Sequence, residues 1–287
     1  MPEPHSLKPL RPLNSLAVRP LLVLLTAWWL LASIAAAASP QLEFTLGGEV
    51  VGSLSLDQMQ QRLRSESLEL LDPMYGKTKR YEAFRLAEVM DAAYTASWRE
   101  HTDADVALVA SDGYEAVASL NKLQESGGYL VFRDLDYPQW EPVGRHQANP
   151  GPFYVVWTGP EQTTEHAYPW PWQLAAVRII RFADRYPAVV PQGADQNSPA
   201  YRGFITFKQR CVRCHAMDQQ GGAIGPDLNA PRSIVEYRSA MMIKAFIRQP
   251  SAFRHSYMPD HTDLSEQQLD QLIAYFQWQW RAKSNVD

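Results

Sequence analysis

The chain has 287 residues, of which 20% are charged and 46% are hydrophobic, and its formal net charge is −4. This composition excludes large-scale disorder, and the length leaves room for two domains. No stripe of basic residues points to nucleic acid as a partner.

The first residues predict an export signal. Lys8, Arg11 and Arg19 precede a long uncharged apolar run that ends in Ala-Ala-Ala-Ser. This arrangement is typical of a secretory signal peptide over residues 1–38, cut after Ala38.

An uncleaved membrane anchor is the alternative, because no charge occurs between Arg19 and Glu43. Cleavage would leave 24 basic and 30 acidic residues, a net charge of −6. Such an acidic surface would favour a partner with a basic docking patch. A surface that is merely soluble is an equally good interpretation.

Residues 39–186 predict an α+β domain. Helices are expected over residues 57–71 and 84–96, where apolar residues recur at helical spacing. The strand candidates, rich in β-branched and aromatic residues, cover residues 41–56, 106–110, 114–120, 128–132, 153–157 and 174–182. Asp112-Gly113 between two of them predicts a hairpin. The irregular order of strands and helices favours the α+β class.

From residue 187 the pattern changes. Residues 187–197 are rich in proline and polar residues, which predicts a linker. The rest of the chain, residues 198–287, predicts an all-α domain. Its first helix follows a Ser-Pro start, a further helix is expected over residues 234–248, and a capping box at Ser265 begins the last helix.

Both cysteines of the chain lie in one motif. Cys211, Cys214 and the adjacent His215 have the spacing for covalent attachment of a single c-type haem through two thioethers, with the imidazole on the iron. A thioredoxin-like pair would need a βαβ context, and a disulfide across two intervening residues would be strained. A zinc site would need two more ligands, for which His255 and His261 are candidates.

The helix before the motif carries Gly203, Phe207 and Cys211 four residues apart, hence on one face. This pattern resembles the first helix of class I cytochromes c. In that family the glycine lets the last helix cross closely, and the aromatic residue packs against it. The resemblance covers residues 198–283 and implies that this region is a cytochrome c domain.

The resemblance also implies further site residues. Gly225-Pro226-Asp227-Leu228 is similar to the family's loop in which a proline carbonyl accepts the second imidazole N–H, a role that falls on Pro226. Met258-Pro259 is similar to the loop that supplies the sixth iron ligand, so Met258 is the expected axial ligand opposite His215. Met217 is too near His215 for this role. The other rivals are Met241 and Met242, expected in a helix core, and His255 and His261.

The α+β region resembles the molybdopterin-binding domain of the sulfite oxidase family. The similar pieces are residues 81–90, the Ser-Asp-Gly-Tyr hairpin at 111–114, the Gly-Pro strand at 151–157 and the closing strand at 172–180. That family binds molybdenum through a cysteine thiolate, and no cysteine is left for it here. Phe153 and Tyr154 also stand where that family has an arginine. We therefore expect a mixed sheet without molybdopterin.

Together these patterns predict an exported, single-haem c-type cytochrome of the periplasm that transfers one electron. They favour an electron-transfer protein over a substrate-converting enzyme. The expected partner is a periplasmic redox protein, or a dehydrogenase or oxidase complex, docked through the α+β domain. Membrane contact is expected only if the N-terminal segment is retained. The alternatives are a molybdenum oxidoreductase whose fused haem domain passes its electrons on, and a haem-based sensor or assembly factor.

Overall fold

The computed structural model describes residues 39–144, 147–162, 167–256 and 258–284. The predicted signal peptide, residues 1–38, lies outside them. Within the described ranges no helix combines the length and the apolar character needed to cross a membrane. The described residues from 39 to 284 form one compact unit.

A five-stranded mixed sheet has the order β2-β1-β9-β5-β6. Its strands are β1 (Gln41–Leu46), β2 (Glu49–Ser55), β5 (Asp105–Ala110), β6 (Glu115–Ser119) and β9 (Leu174–Ile180). Strand β1 pairs with β9 in parallel, whereas the other neighbours are antiparallel. The hairpin predicted at Asp112-Gly113 is confirmed, because β5 and β6 pair across it.

A second, antiparallel sheet has the order β3-β4-β7-β8. Its strands are β3 (Glu66–Asp72), β4 (Lys77–Arg85), β7 (Gly128–Asp134) and β8 (Tyr154–Trp157). Side chains from both sheets and from helix α2 (Leu86–Tyr94) share one apolar core. The N-terminal part of the chain is therefore a mixed α and β region.

The helix predicted over residues 57–71 is too long. Helix α1 (Leu56–Arg62) is capped by Ser55, whose side chain forms a capping box with Gln58. The chain then becomes extended, and β3 alternates between more and less buried side chains. This period of two is the spacing of a strand, and pairing with β4 stabilises it.

The C-terminal region is mostly helical. It comprises α3 (Phe182–Arg185), α4 (Pro199–Arg210), the short hairpin β10 (Ala216–Met217) and β11 (Gln220–Gly221), α5 (Ile234–Tyr237), α6 (Ala240–Arg248) and α7 (Glu266–Ser284). The layout of an α+β region followed by a helical region agrees with the sequence prediction.

The single helix predicted over residues 234–248 is wrong, because it is broken at Arg238. That residue is extended, and the next one, Ser239, caps α6 by accepting a hydrogen bond from the Met242 N–H at 3.3 Å. Ile243 and Ile247 therefore form the buried face of α6, while Met241 is 73% exposed and Met242 is 44% exposed. The prediction that these two methionines lie in the core is also wrong.

Helices α4 and α7 cross at Gly203. A Cβ atom at this position would lie 1.9 Å from the carbonyl oxygen of Gln271. One turn further along α4, the ring of Phe207 is fully buried against the rings of Tyr275 and Phe276, with centroid distances of 5.3 and 6.1 Å. The glycine thus allows a backbone contact that brings the aromatic side chains together.

The segment at residues 187–197 packs on α7. The carbonyl oxygen of Val189 accepts a hydrogen bond from the Tyr275 hydroxyl at 2.6 Å, and that of Ala188 accepts one from Gln279 Nε2 at 2.6 Å. The domain boundaries at 186 and 198 stay predictions.

A second apolar core joins the two regions. It combines Ala107 and Val109 of the five-stranded sheet with Phe204 and other side chains of the helical region. At its edge, Lys208 Nζ lies 2.7 Å from Asp105 Oδ2. The helical region therefore shares apolar packing and an ion pair with the sheet.

A buried ion cluster lies within the four-stranded sheet. Lys79 Nζ is 2.7 Å from Asp134 Oδ2, and both side chains are at most 1% exposed. The same ammonium lies 2.8 Å from Glu141 Oε2. Hydrogen bonds from Lys77 and Lys79 hold the pKa of the Glu141 carboxyl below its usual value. No sequence pattern predicted this cluster.

Candidate haem-binding site

The end of helix α4 positions both cysteines. Ser198 starts the helix by accepting a hydrogen bond from the Tyr201 N–H at 3.2 Å. Cys211 is the C-cap, and its carbonyl oxygen accepts hydrogen bonds from the Cys214 and His215 N–H groups at 3.0 and 2.8 Å. One tight turn therefore holds the two thiols and the imidazole together.

The two thiols are free and uncharged. Neither sulfur forms a disulfide. Burial raises the pKa of the Cys211 thiol to about 12 and also raises that of Cys214. Thioether formation would convert both to uncharged sulfurs, which suits the same buried surroundings.

The imidazole of His215 is held through one nitrogen. Its Nδ1 lies 2.8 Å from the carbonyl oxygen of Pro226. A carbonyl can only accept a hydrogen bond, so Nδ1 carries the proton and the lone pair is on Nε2. Burial lowers the pKa of His215, which favours the neutral ring that can act as a metal ligand.

Glycine residues allow the chain to close around this ring. A Cβ atom on Gly225 would lie 2.5 Å from His215 Cε1, so a side chain there would displace the imidazole. A Cβ on Gly222 would lie 2.3 Å from the carbonyl oxygen of Arg213. The loop that carries Pro226 is therefore packed directly on the cysteine motif.

Met258 is half-buried and packs against the second apolar core, the one that joins the sheet to the helical region. Its N–H donates to Ser256 Oγ at 3.1 Å. Among the rivals for the iron, Met217 is fully buried, His261 is 4% exposed and His255 is exposed. The assignment of Met258 as a ligand stays a prediction.

The residues present fit a covalently bound haem. Two free thiols and an imidazole with an available Nε2 lie on one turn. Ile224, which adjoins Gly225 in the chain, is 63% exposed and leaves apolar surface for a macrocycle to cover. This set of donors matches haem c. A zinc site would need further ligands, and the described residues contain no group of three or more His, Cys, Asp and Glu side chains that could hold a metal ion.

A family model described as "Cytochrome C oxidase, cbb3-type, subunit III" matches residues 198–276. Residues 198–276 form a cytochrome c domain. The match begins at the cap of α4 and ends within α7, so it includes the cysteine motif, the Pro226 loop and Met258. The cytochrome c domain indicates a haem protein that transfers electrons. No curated protein matches the chain.

Two features of the cytochrome c domain carried no sequence prediction. The first is the hairpin β10–β11, which follows His215 directly. The second is the set of hydrogen bonds made by Asp227. The Asp-x-Asn spacing of Asp227 and Asn229 is a turn signal that could have indicated it.

Proposed function

We propose that the protein is an exported, single-haem c-type cytochrome that transfers one electron at a time in the periplasm. The observation that supports this most directly is the contact between His215 Nδ1 and Pro226 O at 2.8 Å. It fixes the tautomer of an imidazole placed one residue after two free thiols.

Haem c bound at Cys211 and Cys214 would supply a ferric–ferrous couple for one-electron transfer. The chain's own residues would tune it. The Pro226 carbonyl makes the His215 imidazole a better electron donor, which favours the oxidised state. The thioether of Met258 would be a soft ligand and would favour the reduced state. We propose that His215 and Met258 would hold the haem iron.

For the α+β region we propose a docking role without molybdopterin. The region resembles the sulfite oxidase family, but the lack of any cysteine outside the haem motif leaves it no thiolate ligand for molybdenum. The partner would be a periplasmic redox protein or a larger oxidase or dehydrogenase complex. Export is proposed because the attachment of c-type haem takes place outside the bacterial cytoplasmic membrane.

The test is expression of the full chain, with its N-terminal segment, in a bacterium that matures c-type cytochromes. Denaturing electrophoresis with haem staining and intact mass measurement should show one covalent haem per chain in the periplasmic fraction. The Cys211→Ser and Cys214→Ser double variant is the control and should bind none. A wild-type chain without covalent haem would overturn the proposal.

The same purified sample tests whether the α+β region binds molybdenum. Elemental analysis should find iron in a one-to-one ratio to the chain and no stoichiometric molybdenum. Near-stoichiometric molybdenum would instead support a substrate-converting oxidoreductase.

A further inference from the structure

Asp227 follows Pro226, the residue whose carbonyl contacts His215. Its carboxylate accepts four backbone hydrogen bonds from two separate segments. The donors to Oδ1 are the N–H groups of Asp218 at 3.2 Å, Asn229 at 2.8 Å and Ala230 at 2.8 Å, and the donor to Oδ2 is that of Gln219 at 2.6 Å.

The first segment is the turn of the hairpin that begins directly after His215. Asp218 and Gln219 both have positive φ values, 49° and 67°, a region that favours glycine. Two such non-glycine residues in succession need support from outside the turn. The Asp227 carboxylate gives it by accepting both of their N–H groups.

The second segment is the loop after Pro226. The N–H groups of Asn229 and Ala230 bind the same carboxylate oxygen, which closes the turn. Asn229 Nδ2 also donates to Asp218 Oδ2 at 2.7 Å, and Lys283 Nζ donates to the Asn229 carbonyl at 2.8 Å. The two segments are therefore tied to each other and to helix α7.

The peptide unit between Pro226 and Asp227 carries the carbonyl that accepts from His215. Asp227 fixes one end of this unit through its four hydrogen bonds. At the other end, a further backbone bond joins Gly225 N–H to the Cys214 carbonyl at 2.7 Å. The direction of the Pro226 carbonyl is thus set from both sides.

We propose that Asp227 is a positioning residue that sets the orientation and the donor strength of the His215 imidazole. It acts through the Pro226 carbonyl and not by contact with the haem. This inference rests on the proposed function, because it takes His215 as the iron ligand.

The proposal predicts how the reduction potential responds to substitution. Without the carboxylate, the Pro226 carbonyl is held less firmly, its bond to Nδ1 weakens and the imidazole donates less. The oxidised state then loses stabilisation, so the potential should rise. The g values of the ferric haem depend on the orientation of the imidazole plane, so they should shift or their signals should broaden.

The variants separate geometry from charge. Asp227→Ala and Asp227→Asn remove the same negative charge, but the amide oxygen of Asn can keep the three bonds made by Oδ1. Asp227→Asn should therefore raise the potential less than Asp227→Ala. The control is Asp270→Asn, an exposed carboxylate on α7 that pairs with Lys244 and has no bond to the loop. It should leave the potential and the g values unchanged.

The experiment uses the full holoprotein, by redox titration and ferric electron paramagnetic resonance. Equal shifts in Asp227→Ala and Asp227→Asn would assign the effect to charge alone and overturn the proposal, as would wild-type values in Asp227→Ala. If Asp227→Ala does not accumulate, Asp227→Ser replaces it, since a hydroxyl can close the local turn but is too short for the hairpin. A wild-type chain without covalent haem would instead refute the proposed function.

Discussion

Replacing Gly203 with alanine should loosen the crossing of α4 and α7. The new Cβ would lie 1.9 Å from Gln271 O, whereas real Cβ contacts below 3.0 Å essentially never occur. The obstacle is backbone on a neighbouring helix, which cannot rotate away as a side chain could. The two helices would have to separate by about 1 Å, which would loosen the packing of Phe207.

The magnitude follows from two opposing effects. Overpacking against a rigid neighbour costs about 3 kcal/mol, the upper end of the usual range. Alanine forms helix better than glycine and recovers about 1 kcal/mol. We therefore expect Gly203→Ala to lower the free energy of unfolding by about 2 kcal/mol and Tm by roughly 4–8 °C.

The assay is thermal and denaturant unfolding of the holoprotein, followed by circular dichroism. Arg202→Ala is the matched control, because it changes the neighbouring exposed residue of the same helix and should stay within about 0.5 kcal/mol of wild type. A larger residue, as in Gly203→Val, should destabilise more than alanine. A Gly203→Ala protein as stable as wild type would refute the close crossing.

Further predictions concern the proposed axial ligand and the buried ion cluster. Met258→Ala should keep the covalent haem, lose the weak charge-transfer band at the red end of the ferric spectrum and lower the reduction potential. Met241→Ala changes an exposed side chain and should leave the band and the potential as in the wild type. Lys79→Met should lower the free energy of unfolding by about 3 kcal/mol, because the buried Asp134 carboxylate loses its partner cation. In denaturant titrations, the double variant with Asp134→Asn should recover part of this loss. The lysines beside Glu141 hold the pKa of its carboxyl in the folded protein below the value in the unfolded chain. The ionised carboxylate therefore contributes to the free energy of unfolding above the unfolded pKa, and this contribution is lost as the pH falls through the folded pKa. Glu141→Gln should therefore destabilise the protein at neutral pH, and the difference from wild type should vanish in strong acid. A difference that persisted there would contradict the ion-pair account.

The cytochrome c domain was largely predictable because its signals are local. The spacing of Cys211, Cys214 and His215 fixes one turn of chain, and Ser198 and Ser265 mark where two helices begin. The break between helices α5 and α6 at Arg238 was not predicted, because a serine such as Ser239 is compatible both with the interior of a helix and with a helix cap. That one ambiguity misplaced Met241 and Met242.

The α+β region was predictable in part of its strands but not as an assembly. Strands β5 to β9 were found from their β-branched and aromatic content. Strand β3 was mistaken for helix because its leucines also fit a helical period. Strand β4 was not predicted, and its last two residues were assigned to the helix expected over residues 84–96. The parallel pairing of β1 with β9 joins segments more than 100 residues apart along the chain, and no local pattern encodes it. The same holds for Lys79 and Asp134, which meet only when β4 and β7 pair.

The packing of residues 187–197 on α7 has a consequence for how electrons could reach this protein. A redox domain on a flexible tether sweeps a volume whose size depends on tether length, and this raises its local concentration near an attached partner. Here the connecting segment is held at Ala188 and Val189 by Gln279 and Tyr275, so there is no free tether to swing. A partner docked on the α+β region, as we propose, would therefore meet the haem-binding site in one fixed position. Residues inserted into this segment would let the cytochrome c domain move away from the sheet only if these two hydrogen bonds to α7 were broken.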